Sequence, residues 1–192
     1  MKVGLFFGSF NPIHIGHLII ANYMASQTDL DQVWFVVTPQ NPLKERKSLA
    51  RDQDRLHLVR LAIEDNSVLS ASNVEFNLPK PSYTIDTLTY LKELYPQHEF
   101  VLIMGSDNIG SLHKWKNYEL ILKRYAIYVY RRPEYEEGAL ADHPHVKIFD
   151  APQMKISASY IRKCIKEGHS IQYLVSPPVR DYLETSSIYR KL

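Results

Sequence analysis

Two histidines, His14 and His17, stand three residues apart at the end of the segment Gly8-Ser-Phe-Asn-Pro-Ile-His-Ile-Gly-His. Side chains at this spacing lie within one turn of a helix, so both imidazoles can reach the same group. Imidazole N–H donors stabilise the charge that builds up on phosphoryl oxygens. The free N–H groups at the start of a helix also favour an anion. Residues 8–17 therefore predict a phosphate-binding site, in which Gly8 lets the backbone approach a ligand closely.

The same segment allows two other interpretations. A His-x-x-His pair can ligate a metal ion, although no third ligand stands near it in the sequence. The segment can also be a plain turn whose histidines lie on the surface. It is neither a Gly-x-Gly-x-x-Gly dinucleotide fingerprint nor a Walker loop, because the Gly-Lys-Ser/Thr ending is missing. We predict no metal site built by the protein itself.

The elements that would position this segment follow from the hydrophobic pattern. Apolar runs predict strands at residues 3–7, 33–37, 100–104, 126–130 and 146–149, with 74–76 as a further short strand. Helical spacing predicts helices at residues 18–25, 54–63 and 83–94, and a mostly helical part from residue 157 on. In that last part, Ser157 or Ser159 is expected to cap a helix that Gly168 ends.

This alternation predicts the α/β fold class. Continuous apolar strands separated by helices indicate a Rossmann-like parallel sheet with helices on both faces, here with a small helical C-terminal part at residues 157–192. Ligands of such sheets bind at the carboxyl ends of the strands. Residues 8–17 directly follow the first predicted strand, so they stand where a ligand site is expected.

Composition narrows the class of protein. The 192 residues suit one domain, 1–192, and 45% hydrophobic with 23% charged residues is ordinary for a globular chain. The net charge of +2 is spread rather than clustered, so we expect no nucleic-acid partner. No apolar run approaches the roughly 18 residues of a membrane span, and no signal-peptide pattern is present. We therefore expect a cytoplasmic protein without a membrane partner. The single cysteine, Cys164, is expected to be buried.

Two separate signatures of the nucleotidylyltransferase superfamily are present. Residues 8–17 resemble its pattern Gly-Gly/Ser-Thr/Phe-Asp-Pro-x-His/Thr-x-Gly-His. Residues 156–162, Ile-Ser-Ala-Ser-Tyr-Ile-Arg, resemble its pattern Ile-Ser-Ser/Thr-x-x-Ile/Val-Arg. The two stand in the expected order, and together they are far more specific than either alone. The resemblance implies an enzyme that transfers the AMP group of ATP.

Within this superfamily the chain most resembles the bacterial nicotinate mononucleotide adenylyltransferases. Four further segments carry that resemblance, namely 39–44, 82–88, 105–107 with Trp115 downstream, and 131–133. The resemblance extends from residue 3 to residue 183. It implies that ATP and nicotinate mononucleotide react to give nicotinate adenine dinucleotide and pyrophosphate, a step of NAD biosynthesis.

The resemblance also implies roles for individual residues. The catalytic residues would be His14, His17 and Arg162. The ATP-binding residues would be Gly8, Ser9, Phe10, His14, His17, Asp107, Ser157, Ser159 and Arg162. The nicotinate mononucleotide would contact Lys44, Tyr83, Thr84 and Trp115. Mg²⁺ would arrive with ATP and keep most of its waters, so no protein cage is expected.

Residue types alone leave simpler roles open. Asp107 and Thr84 can each be helix caps. Trp115 can be a core aromatic, and Lys44 can be an ordinary surface lysine. Residues 156–162 can form a capped amphipathic helix with an exposed arginine.

The chain departs from the family pattern at a few positions. Asn11 stands where Asp is usual, which keeps a capping acceptor but removes a charge. Residues 9 and 10, Ser-Phe, are also common in phosphopantetheine adenylyltransferases. Ala158 replaces a small hydroxyl residue of the second signature, and Leu43 stands where the family often has His.

Three rival functions remain at this stage. A phosphopantetheine adenylyltransferase usually has Thr at the position of His14 and lacks the Ser-Tyr-Thr-x-Asp-Thr-Leu segment at 82–88. A class I aminoacyl-tRNA synthetase shares His-Ile-Gly-His, but 192 residues leave no room for a tRNA-reading domain. A non-catalytic nucleotide sensor is the third, and the intact His14, His17 and Arg162 argue against it.

Overall fold

A computed structural model of the chain describes residues 1–39, 49–136 and 138–190. Its strands form one sheet, and every pairing between the described strands is parallel. The strands are β1 (Lys2–Gly8), β2 (Gln32–Val37), β3 (Leu69–Ser72), β4 (Glu99–Gly105), β5 (Ala126–Tyr130) and β6 (Val146–Phe149). Their order is β3-β2-β1-β4-β5-β6, so the direction of winding reverses between β1 and β4.

Helices connect the strands and form the C-terminal part. They are α1 (Ile15–Gln27), α2 (Asp52–Ala62), α3 (Thr84–Leu94), α4 (Ser106–Ile109), α5 (Tyr118–Arg124), α6 (Ala158–Glu167) and α7 (Pro177–Thr185). Short 3₁₀ turns occupy Val74–Asn77, Leu112–Lys114 and Ala139–Asp142. The predicted Rossmann-like α/β fold is confirmed.

Both faces of the sheet are covered, which is why its central strands read as unbroken apolar runs. In β4, Val101 and Ile103 belong to the core shared with α1, α2, α6 and α7. Phe100, Leu102 and Met104 alternate with them and belong to the core shared with α3 and α5. The two cores hold the strand ends, and therefore the segments that follow them, in fixed positions.

The prediction of a strand at 74–76 is wrong. Val74–Asn77 is a 3₁₀ turn in which the Phe76 N–H donates to the Asn73 carbonyl. The third strand lies just before it, at Leu69–Ser72, where the sequence Leu-Ser-Ala-Ser has only one large apolar residue. Because this is an edge strand, it lacks the continuous apolar pattern of the central strands.

The C-terminal part is helical, as predicted. The Ser157 hydroxyl oxygen accepts the Tyr160 N–H at 3.1 Å and so caps α6. Gly168 ends the helix with a left-handed φ of 73°, a conformation that suits glycine. Cys164, on the buried face of α6, belongs to the core, as predicted. Within the described residues, no helix has both the length and the apolar character needed to cross a membrane.

Candidate active site

A pocket of ≈ 550 Å³ opens at the carboxyl ends of β1 and β4, where the strand order reverses. Doubly wound sheets bind their ligands at this place. The residues predicted to bind ATP all line it: Gly8, Ser9, Phe10, His14, His17, Asp107, Ser157, Ser159 and Arg162. The fold thus brings the two sequence signatures together on one surface.

A second pocket of ≈ 260 Å³ adjoins the first. It is lined by Tyr83, Thr84 and Trp115, the predicted contacts of the second substrate that lie in the described residues. Ser9, Asp107 and Trp115 line both pockets. Two ligands in these pockets would therefore meet at the end of β1. Lys44 and Leu43 lie outside the described residues.

Phe10 fixes the course of the loop after β1. Its side chain is 2% exposed and packs edge-on against Phe6 and Phe35 at ring-centroid distances of 5.9 and 5.3 Å. A Cβ on Gly8 would lie 2.7 Å from the Phe10 ring, which explains glycine at that position. The Phe10 backbone has a φ of 44°, in the left-handed region. Phe10 therefore shapes the pocket through its backbone, while its ring belongs to the core.

The two histidines form a stacked pair. Their ring centroids are 3.7 Å apart, with an angle of 27° between the planes. The His14 backbone N–H donates to His17 Nδ1 at 3.2 Å. A neutral His17 that accepts at Nδ1 carries its proton on Nε2, so this nitrogen is a hydrogen-bond donor. The same contact sets His17 in the first turn of α1, where the free helix N–H groups also lie.

His14 is kept neutral at ordinary pH. Its imidazole is 8% exposed, and burial together with the positive charge of Arg132 lowers its pKa from 6.5 to about 4. His14 Nδ1 is buried and has no hydrogen-bond partner among the described residues. A buried imidazole without a protein partner is suited to a polar group of a ligand, since an unpaired buried nitrogen is otherwise costly.

Arg162 joins the second signature to the first. Its guanidinium donates to the Asn11 carbonyl at 2.8 Å and to the Ser159 hydroxyl at 3.2 Å. Asn11 was expected to supply a capping acceptor, but its Oδ1 accepts the Ala50 N–H at 3.0 Å instead. The residue that caps α1 is His14. Asn11 therefore ties the loop to the segment before α2, a role that needs an acceptor and not a charge.

Asp107 is held by an arginine that sequence reasoning assigned no role. Asp107 Oδ2 lies 3.0 Å from the Arg132 guanidinium, and Oδ1 is buried without a partner among the described residues. The backbone N–H of Arg132 also donates to the Ser106 hydroxyl at 2.9 Å. Gly105, not Asp107, is the residue that precedes α4, so Asp107 is not its N-cap. The available signal for Arg132 was its place in segment 131–133, which follows β5, the neighbour of β4 in the sheet.

Glu75 is a second residue that the sequence did not single out. It lines the smaller pocket and is 2% exposed. It accepts the Ser82 hydroxyl at 2.9 Å and the Thr87 hydroxyl at 2.7 Å. Burial raises its pKa, and the hydroxyl hydrogen bonds partly oppose that rise. Glu75 thereby fixes the residues on both sides of the start of α3, where Tyr83 and Thr84 lie.

The sequence as a whole matches a known family. The family model described as cytidylyltransferase-like matches residues 5–164. A protein of Flavobacterium johnsoniae named "probable nicotinate-nucleotide adenylyltransferase" is 54% identical, with 100% of each chain covered. A protein of the same name from Cytophaga hutchinsonii is 53% identical, with 98% of each chain covered. The chain belongs to the nicotinate-nucleotide adenylyltransferase family.

Solved structures extend the likeness to the fold. The nicotinic acid mononucleotide adenylyltransferase of Plasmodium falciparum, complexed with NaAD, superimposes with a TM-score of 0.82. It is 22% identical, and the match covers 98% of this chain and 97% of that one. The family is therefore the one that the motifs resembled. It is neither of the rival enzyme families, the phosphopantetheine adenylyltransferases and the class I aminoacyl-tRNA synthetases.

Proposed function

We propose that the chain transfers AMP from ATP to nicotinate mononucleotide, giving nicotinate adenine dinucleotide and pyrophosphate as a cytoplasmic step of NAD biosynthesis. The observation that carries the proposal is the junction of the two pockets at Ser9, Asp107 and Trp115. The larger pocket is lined by residues of both nucleotidylyltransferase signatures. The smaller pocket is lined by Tyr83 and Thr84, at the start of α3. A reaction that joins two nucleotides needs this arrangement of neighbouring sites.

The chemistry is a displacement at phosphorus. The phosphate of nicotinate mononucleotide attacks the α-phosphorus of ATP, and the bond from that phosphorus to the bridging oxygen of the departing pyrophosphate breaks. The attacking phosphate is already an anion, so no residue has to remove a proton. Catalysis then consists of alignment of the two phosphates and stabilisation of charge on the phosphoryl oxygens.

His14, His17 and Arg162 are the proposed catalytic residues. The low pKa of His14 supports a role as a neutral N–H donor rather than as a cation. The His14 N–H contact to His17 Nδ1 supports the same role for His17 through its Nε2. Arg162 offers the planar guanidinium that suits phosphate oxygens. Gly8, Ser9 and Phe10 would contribute backbone groups, and Ser157 and Ser159 hydroxyls.

The second substrate is proposed to lie in the smaller pocket. Trp115 would stack its indole on the pyridine ring. Tyr83 and Thr84 precede or begin α3, whose first N–H groups and positive dipole end favour the nicotinate carboxylate. Lys44 is proposed as a positive charge for phosphate. Asp107 belongs to the ATP-binding set, where it would accept a hydrogen bond from a ribose hydroxyl.

Mg²⁺ is proposed to enter the site bound to ATP. Among the described residues that line the larger pocket, Asp107 carries the sole carboxylate, and this carboxylate is paired with Arg132. Such a donor set suits an ion that nucleotide phosphates already hold, since Mg²⁺ prefers several oxygen ligands and retains its waters.

A pyrophosphate-release assay with three acceptors tests the proposal. ATP with nicotinate mononucleotide should give rapid release, the amidated mononucleotide slower release, and phosphopantetheine none. The reason is the helix start at Thr84, which favours a carboxylate over a neutral amide. A clear preference for the amide or for phosphopantetheine would overturn the assignment of the substrate.

A further inference from the structure

Arg55, on α2, is completely buried behind the loop that forms the phosphate site. It is 0% exposed and lines neither of the two pockets. Its guanidinium donates to the Ser9 carbonyl and, at 2.9 Å, to the Thr38 carbonyl. These two residues follow β1 and β2, so one side chain holds the ends of two adjacent strands.

The same guanidinium also holds the residue next to the start of α2. Arg55 Nε donates to the Ala50 carbonyl at 3.1 Å, and Asn11 Oδ1 accepts the N–H of Ala50. Ala50 is thus fixed on one side by α2 and on the other by the loop. Arg55 and Asn11 together make the loop, the end of β2 and the start of α2 one hydrogen-bonded unit.

Burial of an arginine is costly, because a guanidinium removed from water must find partners for its charge and its donors. Asp52 supplies a counter-charge at 2.8 Å, and main-chain carbonyls accept the remaining donors. An apolar residue of similar volume would fill this space without that cost, but it could not orient the four carbonyl groups of Ser9, Thr38, Pro39 and Ala50. The arrangement therefore favours a role in positioning the backbone.

The contact with the Ser9 carbonyl also fixes the direction of the next backbone N–H, that of Phe10. The Ser9–Phe10 peptide is trans. In a trans peptide the C=O and N–H bonds point in opposite directions. Because the Ser9 carbonyl points to Arg55, the N–H of Phe10 points away from that guanidinium. Ser9, Phe10 and His14 line the larger pocket, and Arg55 does not.

We propose that Arg55 is a positioning residue for AMP transfer: it holds the Ser9–Phe10 peptide so that the Phe10 N–H faces the ATP phosphates. This proposal rests on the proposed function. The guanidinium acts on the phosphates only through the backbone. Hydrogen bonding to the Ser9 carbonyl also polarises the peptide, which strengthens its N–H as a donor.

The decisive mutants are Arg55→Lys and Arg55→Met, with Arg60→Met as the matched control, since Arg60 is an exposed arginine on the same helix. Lysine keeps the charge but lacks the planar guanidinium that donates to these four carbonyls. We expect Arg55→Lys to stay folded by circular dichroism and to lower kcat by roughly 10- to 100-fold, somewhat less than the loss of a direct donor. KM for nicotinate mononucleotide should change by less than about threefold.

A second measurement follows the Phe10 amide directly, first in the wild-type protein and then in Arg55→Lys. In a ¹H–¹⁵N spectrum of the wild-type protein, addition of ATP with Mg²⁺ should shift the Phe10 amide strongly, and Arg55→Lys should reduce that shift. An unmoved Phe10 amide would overturn the proposal, and so would a folded Arg55→Lys or Arg55→Met variant with the kcat of Arg60→Met.

The two proposals can fail separately. If the wild-type protein releases no pyrophosphate with nicotinate mononucleotide, the proposed function is wrong. The Phe10 amide shift with ATP, compared between wild type and Arg55→Lys, still tests the role of Arg55 in that case, because it requires only nucleotide binding. If release is normal but the amide does not respond, only the inference on Arg55 is wrong.

Discussion

The guanidinium of Arg162 donates to the Asn11 carbonyl at 2.8 Å, across 151 residues of sequence. This contact joins the loop after β1 to helix α6, so the two signatures form one surface and not two neighbouring ones. It also holds the guanidinium beside the loop before any ligand binds. Because less reorganisation is then needed during the reaction, a group held in this way can stabilise charge more effectively.

The first prediction is that Arg162→Lys lowers kcat by roughly 10²–10³-fold, the usual loss when one charge-stabilising donor is removed. A lysine ammonium cannot bind the Asn11 carbonyl, the Ser159 hydroxyl and a phosphate with one planar group. Steady-state kinetics with saturating nicotinate mononucleotide measure the effect. Lys163→Met, an exposed neighbour on α6, should behave like wild type. Near-normal kcat for Arg162→Lys would mean that a positive charge alone is sufficient.

A second prediction concerns the stacked histidines. His17→Ala should remove most turnover, because it deletes one of the two imidazole donors in the first turn of α1. The unfolding free energy should fall by only about 1 kcal/mol, the value of one hydrogen bond, here that between the His14 N–H and His17 Nδ1. Pyrophosphate release and thermal unfolding are measured on the same sample, with His113→Ala as the exposed control. Retained activity would show that the pair is structural.

The central strands were predictable because short stretches of the sequence determine their apolar pattern. Strands β1, β2, β4 and β5 lie inside the sheet and are covered on both faces, so each reads as a largely continuous apolar run. Strand β6 lies at one edge, and its three apolar residues, Val146, Ile148 and Phe149, were still enough to predict it. Strand β3 lies at the sheet edge and carries small polar residues, so its pattern is weak. Helix ends set by local chemistry, such as the Ser157 cap and Gly168, were also predictable.

In the candidate site, too, only the residues marked by a local sequence pattern could be predicted. Residues of the contiguous signatures, such as His14 and Arg162, are recognisable from spacing and type. Arg132 was noticed only as part of segment 131–133 and given no role, and Arg55 and Glu75 were not noticed, since each acts through contacts that only the folded chain makes. A lone arginine or glutamate in a helix or turn normally indicates an exposed face, and only the tertiary packing that buries it reveals its role.

A third prediction follows from the buried carboxylate of the smaller pocket. Glu75→Gln should raise KM for nicotinate mononucleotide and leave KM for ATP nearly unchanged. A glutamine has one acceptor oxygen, so it cannot accept the hydroxyl protons of both Ser82 and Thr87 in their present positions. The unfolding free energy should fall by about 1–3 kcal/mol, as when a buried polar group loses its partner. Glu93→Gln, at an exposed position of α3, is the control.

For Glu75→Gln, the separation of the two KM values is the informative result. An equal rise in both would mean that Glu75 supports the fold in general and has no particular role in the smaller pocket. Unchanged KM values with unchanged stability would show that the buried hydrogen bonds contribute little to either property.

The fourth prediction concerns the stability of the ligand-free protein in acid. His14 has a pKa of about 4 when folded and 6.5 as its ordinary value. Between these values the unfolded chain binds a proton at His14 and the folded chain does not. Lowering the pH from 6.5 to about 4 therefore favours unfolding, and the difference between the two pKa values corresponds to at most about 3 kcal/mol.

His14→Asn removes this proton uptake, so the variant should lose less unfolding free energy than wild type over the same pH window. Urea unfolding at pH 7 and at pH 4.5 measures the two losses. The exposed His113 provides the matched substitution, His113→Asn, which should keep the wild-type pH dependence. Identical pH dependence in all three proteins would mean that His14 already binds a proton in the folded state near pH 6.5, and the neutral-donor role proposed for it would be wrong.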